Sequence, residues 1–202
     1  MPQQPSNITL QLVSLHDDEI ALCPILPDDM GPLFTWLNDT EAAALDRVYR
    51  PLDFDSFKNW LDDMTRNGAL FAIRKLDHLR IIGFVSLTNI SPVHRCAELT
   101  IRIGAQSDRG KGYGKRAIKL ALKHAWQNLN LHRVQLSVLA TNLRALRAYE
   151  ASGFQREGIL RDGAYVAGKR EDLVVMGTLV PPRLCENAIE NGSGTYPRHS
   201  TR

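Results

Sequence analysis

The sequence predicts an α/β domain of the α+β kind, with a mostly antiparallel sheet and flanking helices. Three observations carry this expectation. "ALFAIRKL", "RIIGFVSLTNI" and "AELTIRIGA" follow one another between residues 69 and 105 as apolar, β-branched runs, the order of an antiparallel meander. Elsewhere, over residues 54–64 and 117–126, apolar residues recur at spacings of three and four, the pattern of helices with one buried face. Between these patterns, "DRGKGYGKRAIKLALKHAW" (Asp108 to Trp126) puts three glycines into five positions and then becomes helical at once.

Residues 8–15 ("ITLQLVSL") and 19–26 ("EIALCPIL") read as two short strands joined at His16, Asp17 and Asp18. Pro27, Asp28 and Asp29 open a helix that runs to Leu37, its acids lying where the first turn of a helix favours negative charge. A second helix is predicted over "PLDFDSFKNWLDDMTRNG": Phe54, Phe57, Trp60, Leu61 and Met64 share one face, and Gly68 ends it. The three strand runs come next, the first two joined through Asp77 and His78 as a hairpin. After the glycines, a helix turns Ala117, Ile118, Ala121, Leu122, Ala125 and Trp126 inward. Lys115, Arg116, Lys119 and Lys123 face out, with His124 on the polar stripe. "HRVQLSVLA" is a strand, "NLRALRAYEASG" a helix stopped by Gly153, and residues 154–180 two closing strands around a turn near Gly168. Residues 1–7 read as a flexible start, 8–180 as a single domain, and 181–202, rich in Pro, Gly, Ser and Asn, as a disordered tail.

Composition narrows the function classes. With 202 residues, 44% hydrophobic and 23% charged, the chain can bury one ordinary globular core. A net charge of +3, with bases and acids interspersed, argues against a nucleic-acid partner. Cys23, Cys96 and Cys185 are far apart and lack metal-ligand spacing, which points to a reduced, cytoplasmic chain with no structural metal. No basic leader precedes an apolar run and no stretch is apolar enough to span a bilayer, so neither secretion nor a membrane partner is expected.

A strand, a glycine-rich turn and a helix start together make an anion site, because glycines expose amide N–H groups and the first helical turn adds unpaired donors. A turn that merely needs positive φ explains one glycine well and three at alternate positions poorly. Arg109 and Lys115 would add charge complementary to phosphate. The two common nucleotide fingerprints both fail. A P-loop would need a glycine at residue 105, which is alanine; a Rossmann turn would need its third glycine at 115 rather than at 114.

A third pattern fits. "RGKGYG" (Arg109 to Gly114) reads as Gln or Arg, two residues of any kind, Gly, any residue, then Gly or Ala. "NLRALRAYEASGF" (Asn142 to Phe154) has Asn, then Ala, then Tyr-Glu, then Gly-Phe at the spacing of a second motif. In this order, one helix and one strand apart, they resemble the two halves of the acetyl-CoA site in the GNAT superfamily of N-acetyltransferases. The resemblance is strongest from Ala97 to Met176. "RCAELTIRIG", "NLNLHRVQL" and "EGILRDGAYVAGKREDLVVMGTL" are similar to the subgroup holding spermidine acetyltransferases and N-terminal acetyltransferases of ribosomal proteins. The loop "GAQSD" departs from that subgroup: it is slightly longer and lacks a common proline.

The resemblance implies the GNAT fold, a mixed, mostly antiparallel central sheet with flanking helices, splayed to form an acetyl-CoA slot. It implies that backbone groups through Ile101 and Ile103 hold the pantetheine arm. The amides of Gly110, Lys111, Gly112, Tyr113, Gly114 and Lys115 would hold the pyrophosphate, with Arg109 at the mouth. Asn142 would bond the cofactor's amide groups, a role compatible with capping its helix. Tyr149 would protonate the departing thiolate; seven residues beyond Asn142, it lies two turns on and on the same face. Glu98 would be the base, directly or through water, and alternation puts it with Thr100 opposite Leu99, Ile101 and Ile103. A Glu that only faces solvent is the competing reading.

The implied activity is acetyl transfer from acetyl-CoA, as cosubstrate and without a metal, to a primary amine: a small amine, a polyamine or a protein N-terminus. The resemblance leaves room for a homodimer, and the alternative is a non-catalytic acyl-CoA binding or sensor protein. Acceptor choice is expected from "NDTEAAALDRVYRPLDFD", whose Asp39, Glu41, Asp46, Asp53 and Asp55 would attract a cationic amine, and from the turn "DGAYVAGKRED". His94, His124 and His132 receive no role.

Overall fold

Pro24 decides where the second strand stops. In the computed structural model, which describes residues 15–39 and 51–182, β1 (Leu15–His16) and β2 (Ile20–Cys23) pair antiparallel. The expected strand 19–26 is cut at Cys23, because Pro24 has no N–H for the ladder. Of the expected strand 8–15, only Leu15 falls among the described residues; the proposed flexible start and all but the first two residues of the proposed tail lie outside them. Asp17 closes the turn, its Oδ1 accepting from the N–H of Glu19 at 2.8 Å and of Ile20 at 2.9 Å.

A 3-10 turn (Pro27–Asp29) leads into α1 (Met30–Leu37). The next helix, α2 (Phe54–Arg66), starts where the Asp53 side chain accepts from the Ser56 N–H at 2.7 Å, satisfying a donor that the helix itself leaves unpaired. The meander follows as expected: β3 (Ala69–Lys75), β4 (Ile81–Ser91) and β5 (Cys96–Ile103) pair antiparallel in sequence. Then come α3 (Tyr113–Gln127), β6 (Arg133–Leu139) and α4 (Leu143–Glu150). The closing hairpin is β7 (Gln155–Val166) and β8 (Lys169–Leu179), turned by Ala167 and Gly168 at φ 49° and 82°, the backbone that a two-residue hairpin loop favours.

Among the described residues, eight strands form one sheet in the order β1-β2-β3-β4-β5-β6-β8-β7. Every neighbouring pair is antiparallel except β5 and β6. Successive residues of β3 and β4 point to opposite faces and join different cores. Ile73 and Val85 join Ile118 and Ala121 of α3, while Ala72 and Phe84 join Leu33 of α1 and Phe57 of α2. An aromatic cluster fills the second core, with Trp60 edge-on to Phe84 at 5.7 Å and Phe34 edge-on to Phe57 at 5.5 Å.

The predicted helix faces hold with two corrections. Of the five apolar residues assigned to the buried face of α2, only Phe57 is fully buried, and Phe54 keeps 46% of its surface exposed. His124 is not on the polar stripe of α3: its ring meets that of Phe71 edge-on at 5.1 Å, and burial holds its pKa below the ordinary value.

Candidate active site

The glycines set the geometry of the site's first end. Gly110 and Gly112 have φ of 78° and 86°, a left-handed region that side chains with a Cβ rarely adopt. The second of them is the N-cap of α3. The first helical bond runs from the Arg116 N–H to the Gly112 carbonyl at 3.1 Å. The N–H groups of Tyr113, Gly114 and Lys115 come before it and have no carbonyl within the helix to bind. Gly114 serves differently: a Cβ there would meet only Ile103, at 3.8 Å, so a side chain would occupy cavity space.

The second wall comes from an interrupted pairing. β5 and β6 are parallel partners for only three residues, Cys96 to Glu98 against Arg133 to Gln135. Beyond Glu98, β5 continues against β4 alone and β6 against β8 alone, so the two strands separate. A cavity of about 600 Å³ fills the gap. Glu98 to Ile103 and Leu136 to Leu139 line it, the start of α3 forms one end, and α4 contributes Asn142, Ala145 and Tyr149. This is the splayed slot that the resemblance implies.

Glu98, Ile101, Ile103, Arg109, Gly110, Gly112, Tyr113, Gly114, Lys115, Asn142 and Tyr149 all line this one cavity. Lys111 does not; it is exposed on the turn outside. Asn142 caps α4, accepting from the Ala145 N–H at 3.1 Å. Tyr149 stands two turns along the same helix, its ring edge-on to Phe154 at 5.8 Å. Glu98 is half-buried at the last position where β5 pairs with β6, and its carboxylate accepts from Asn89 Nδ2 at 3.1 Å.

Arg109 corrects its expected role. Its guanidinium turns back on its own loop, donating to the Gly104 carbonyl at 2.7 Å and to that of Ile103 at 3.3 Å, and lying 3.5 Å from Asp39. It ties the end of β5 to the glycine turn. The expected acids are also engaged elsewhere: Asp39 meets Arg109, Asp53 caps α2, and Asp55 pairs with Lys58. Glu41 and Asp46 lie outside the described residues. The turn "DGAYVAGKRED" forms the far end of the β7–β8 hairpin, and none of its residues lines the cavity.

Sequence reasoning missed Arg144, Arg147 and Asp108, which line the same cavity. The two arginines were legible in principle, since each lies within a turn of a motif residue on the helix that the motif had already fixed. With Lys115 they bring three cationic residues to the lining, suited to a polyphosphate, whereas the guanidinium groups of Arg102 and Arg109 are turned onto the carbonyls of Trp36 and Gly104. Asp108 is 4% exposed and holds Arg80 at 3.0 Å.

Residues 19–155 match the family model described as acetyltransferase (GNAT) domain. This chain belongs to that family. It is 38% identical to a spermidine N(1)-acetyltransferase of Vibrio cholerae over 93 residues, 46% of this chain and 53% of that protein, so the match spans about half the length of that relative. It is 30% identical over 173 residues to a putative ribosomal N-acetyltransferase of Bacillus subtilis, covering 86% of this chain and 91% of that protein. The crystal structure of the Vibrio cholerae spermidine N-acetyltransferase in complex with CoA and spermine superposes with a TM-score of 0.74. That comparison covers 81% of this chain and 96% of that chain at 26% identity. The GNAT fold read from the sequence is thus the fold of the chain.

Proposed function

We propose that this chain is an acetyl-CoA-dependent N-acetyltransferase acting on a primary amine, with a polyamine as its preferred acceptor. One observation carries the reading: a single cavity joins unpaired amides at a helix start to a carboxylate and a phenol, at the place where two parallel strands part. The residues fit CoA. The amides of Tyr113, Gly114 and Lys115 would bind its pyrophosphate, as helix starts bind anions, with Lys115, Arg144 and Arg147 nearby. The edge of β5 that β6 leaves bare would bond the pantetheine arm as a strand bonds an extended peptide.

Acetyl-CoA supplies an acetyl group activated as a thioester. Glu98 would take a proton from the acceptor nitrogen, directly or through water, leaving its lone pair free to attack. As the nitrogen bonds to the thioester carbonyl carbon and the carbon–sulfur bond breaks, Tyr149 would give its proton to the sulfur, and the second proton shed by the new amide nitrogen would return to the phenolate. The relatives named for spermidine support a polyamine acceptor. No observation favours the non-catalytic alternative.

The test is free-thiol release from acetyl-CoA in the presence of spermidine, spermine, simple monoamines or peptides with free N-termini. Polyamines should give the highest kcat/KM. Stabilisation by CoA with no thiol release for any acceptor would turn the reading to the sensor alternative. We also propose a homodimer, supported by Ile159, Leu160 and Tyr165, which stand 52–62% exposed on the edge strand β7. A purely monomeric boundary in sedimentation velocity would reject it.

A further inference from the structure

Asn89 stands where a regular strand would not put it. β4 pairs with β5 at Thr88 and Glu98, then next at Ser91 and Cys96, with a register shift between the two. Alternation would send the Asn89 side chain to the face opposite Thr88 and its partner Glu98. Instead Asn89 has a φ of 51° and its Nδ2 donates to Glu98 Oε2 at 3.1 Å. A bulge inserts a residue and re-aims a side chain in this way. Asparagine is one of the few residues besides glycine that tolerate such a backbone. Among the described residues, Asn89 and Asp162 are the non-glycine residues with positive φ that lie inside strands, and each sits at a shift in register. Backbone held in a sparsely populated region persists where the surroundings fix it, and it gathers at functional sites.

We propose that Asn89 is a positioning residue for Glu98: the β4 bulge brings its amide onto one carboxylate oxygen, so that Glu98 meets the acceptor nitrogen in one orientation. This rests on the reading of Glu98 as the base. The backbone of Glu98 is already fixed, since it is the last residue that β5 pairs with β6. Its side chain has three rotatable bonds and, among the described residues, Asn89 is its hydrogen-bond partner. With Oε2 held by Asn89, the carboxylate plane is fixed and Oε1 is presented to the proton of the amine or of an intervening water. Asn89 touches neither substrate nor cofactor in this scheme and acts only through Glu98.

Asn89→Gly tests this cleanly, because glycine takes the same backbone without strain and loses only the amide. We expect kcat for amine acetylation to fall about tenfold. The KM for acetyl-CoA, the melting temperature and the stabilisation by CoA should stay at parent values or better. Asn89→Asp, which tolerates the backbone but faces Glu98 with like charge, should lose at least as much. In a Glu98→Ala background, already slow, adding Asn89→Gly should change nothing further, as expected of residues that act as one unit. Parent-like kcat in Asn89→Gly, or a loss that adds in full to that of Glu98→Ala, overturns the positioning role. Parent-like kcat in Glu98→Ala alone overturns the assignment of the base, so the two failures are distinguishable.

Discussion

Tyr149 and Gly114 are the residues whose chemistry can be separated most cleanly from their packing. Tyr149→Phe keeps the ring that meets Phe154 edge-on and removes only the hydroxyl. Losing a positioned acid costs on the order of a hundredfold or more in rate. We therefore expect turnover on any accepted amine to fall by about that factor while the CoA-induced rise in melting temperature is preserved; equal turnover across a wide pH range would return the proton transfer to water. Gly112 is a poorer probe of the anion site than it first looks. Its φ of 86° means that any side chain there strains the backbone, so lost binding and lost stability would be confounded. Gly114 has no such φ, and a methyl group there meets only Ile103 at ordinary contact distance. Alanine is also the better helix former, by up to about 1 kcal/mol. Gly114→Ala should thus melt no lower than the parent yet bind CoA more weakly by calorimetry. Unchanged affinity would mean that the anion does not approach the start of α3 closely.

The elements around the slot were legible in the sequence where one chemical demand fixes one residue type, and illegible where distant partners decide. Gly110 and Gly112 announced the helix start because a left-handed turn leaves little choice but glycine. Tyr149 was placed on the same face as Asn142 by helical arithmetic alone, and both line the cavity. The separation of β5 from β6 is different: both strands carry the same alternating pattern, and nothing local says that their pairing ends at Glu98. Arg109 could not be read either, since its acceptors are carbonyls at the end of β5, reached by a long side chain that could equally have turned outward. The burial of His124 is not legible in its own helix because the residue that covers it, Phe71, comes from the distant strand β3. The first turn of α3 shows the same dependence. Arg116 reaches across to the β1–β2 turn and pairs with Asp17 at 2.9 Å, Asp18 at 2.6 Å and Glu19 at 2.5 Å. Burial acts to raise the Asp17 pKa, but the N–H groups of Ile20 and Glu19, with Arg116, outweigh it and hold it below its ordinary value. A carboxylate with a depressed pKa stabilises the fold above its unfolded-state pKa, and that contribution is lost as pH falls through the folded value. Asp17→Asn should therefore melt below the parent at neutral pH, and the two melting curves should converge as pH drops below about 3.9. A constant gap down to strong acid would show that the charge of Asp17 does not matter.

At the scale of the whole molecule, the sheet is complete except along the β5–β6 seam, and that gap is where a ligand can add what the fold lacks. Around β3 and β4, one face of the sheet is covered by α3 and the other by α1 and α2. A bound pantetheine arm would supply partners for the bare stretch of β5, and its phosphates would meet the unpaired amides of α3. Binding to the folded state alone stabilises it by about 2.7 kcal/mol when ligand is at a hundred times its Kd. For a chain of this size, that is a rise of about 5–10 °C in melting temperature. CoA should produce such a rise, and NAD and ATP should not, because the glycine spacing fails both of their fingerprints. Hydrogen exchange then locates the effect: with CoA present, amides in Thr100–Ile103 and Tyr113–Lys115 should gain protection, while those of the β7–β8 hairpin tip should stay as they were. An equal thermal shift with NAD, or protection spread evenly over the sheet, would mean that the seam is not where the cofactor binds.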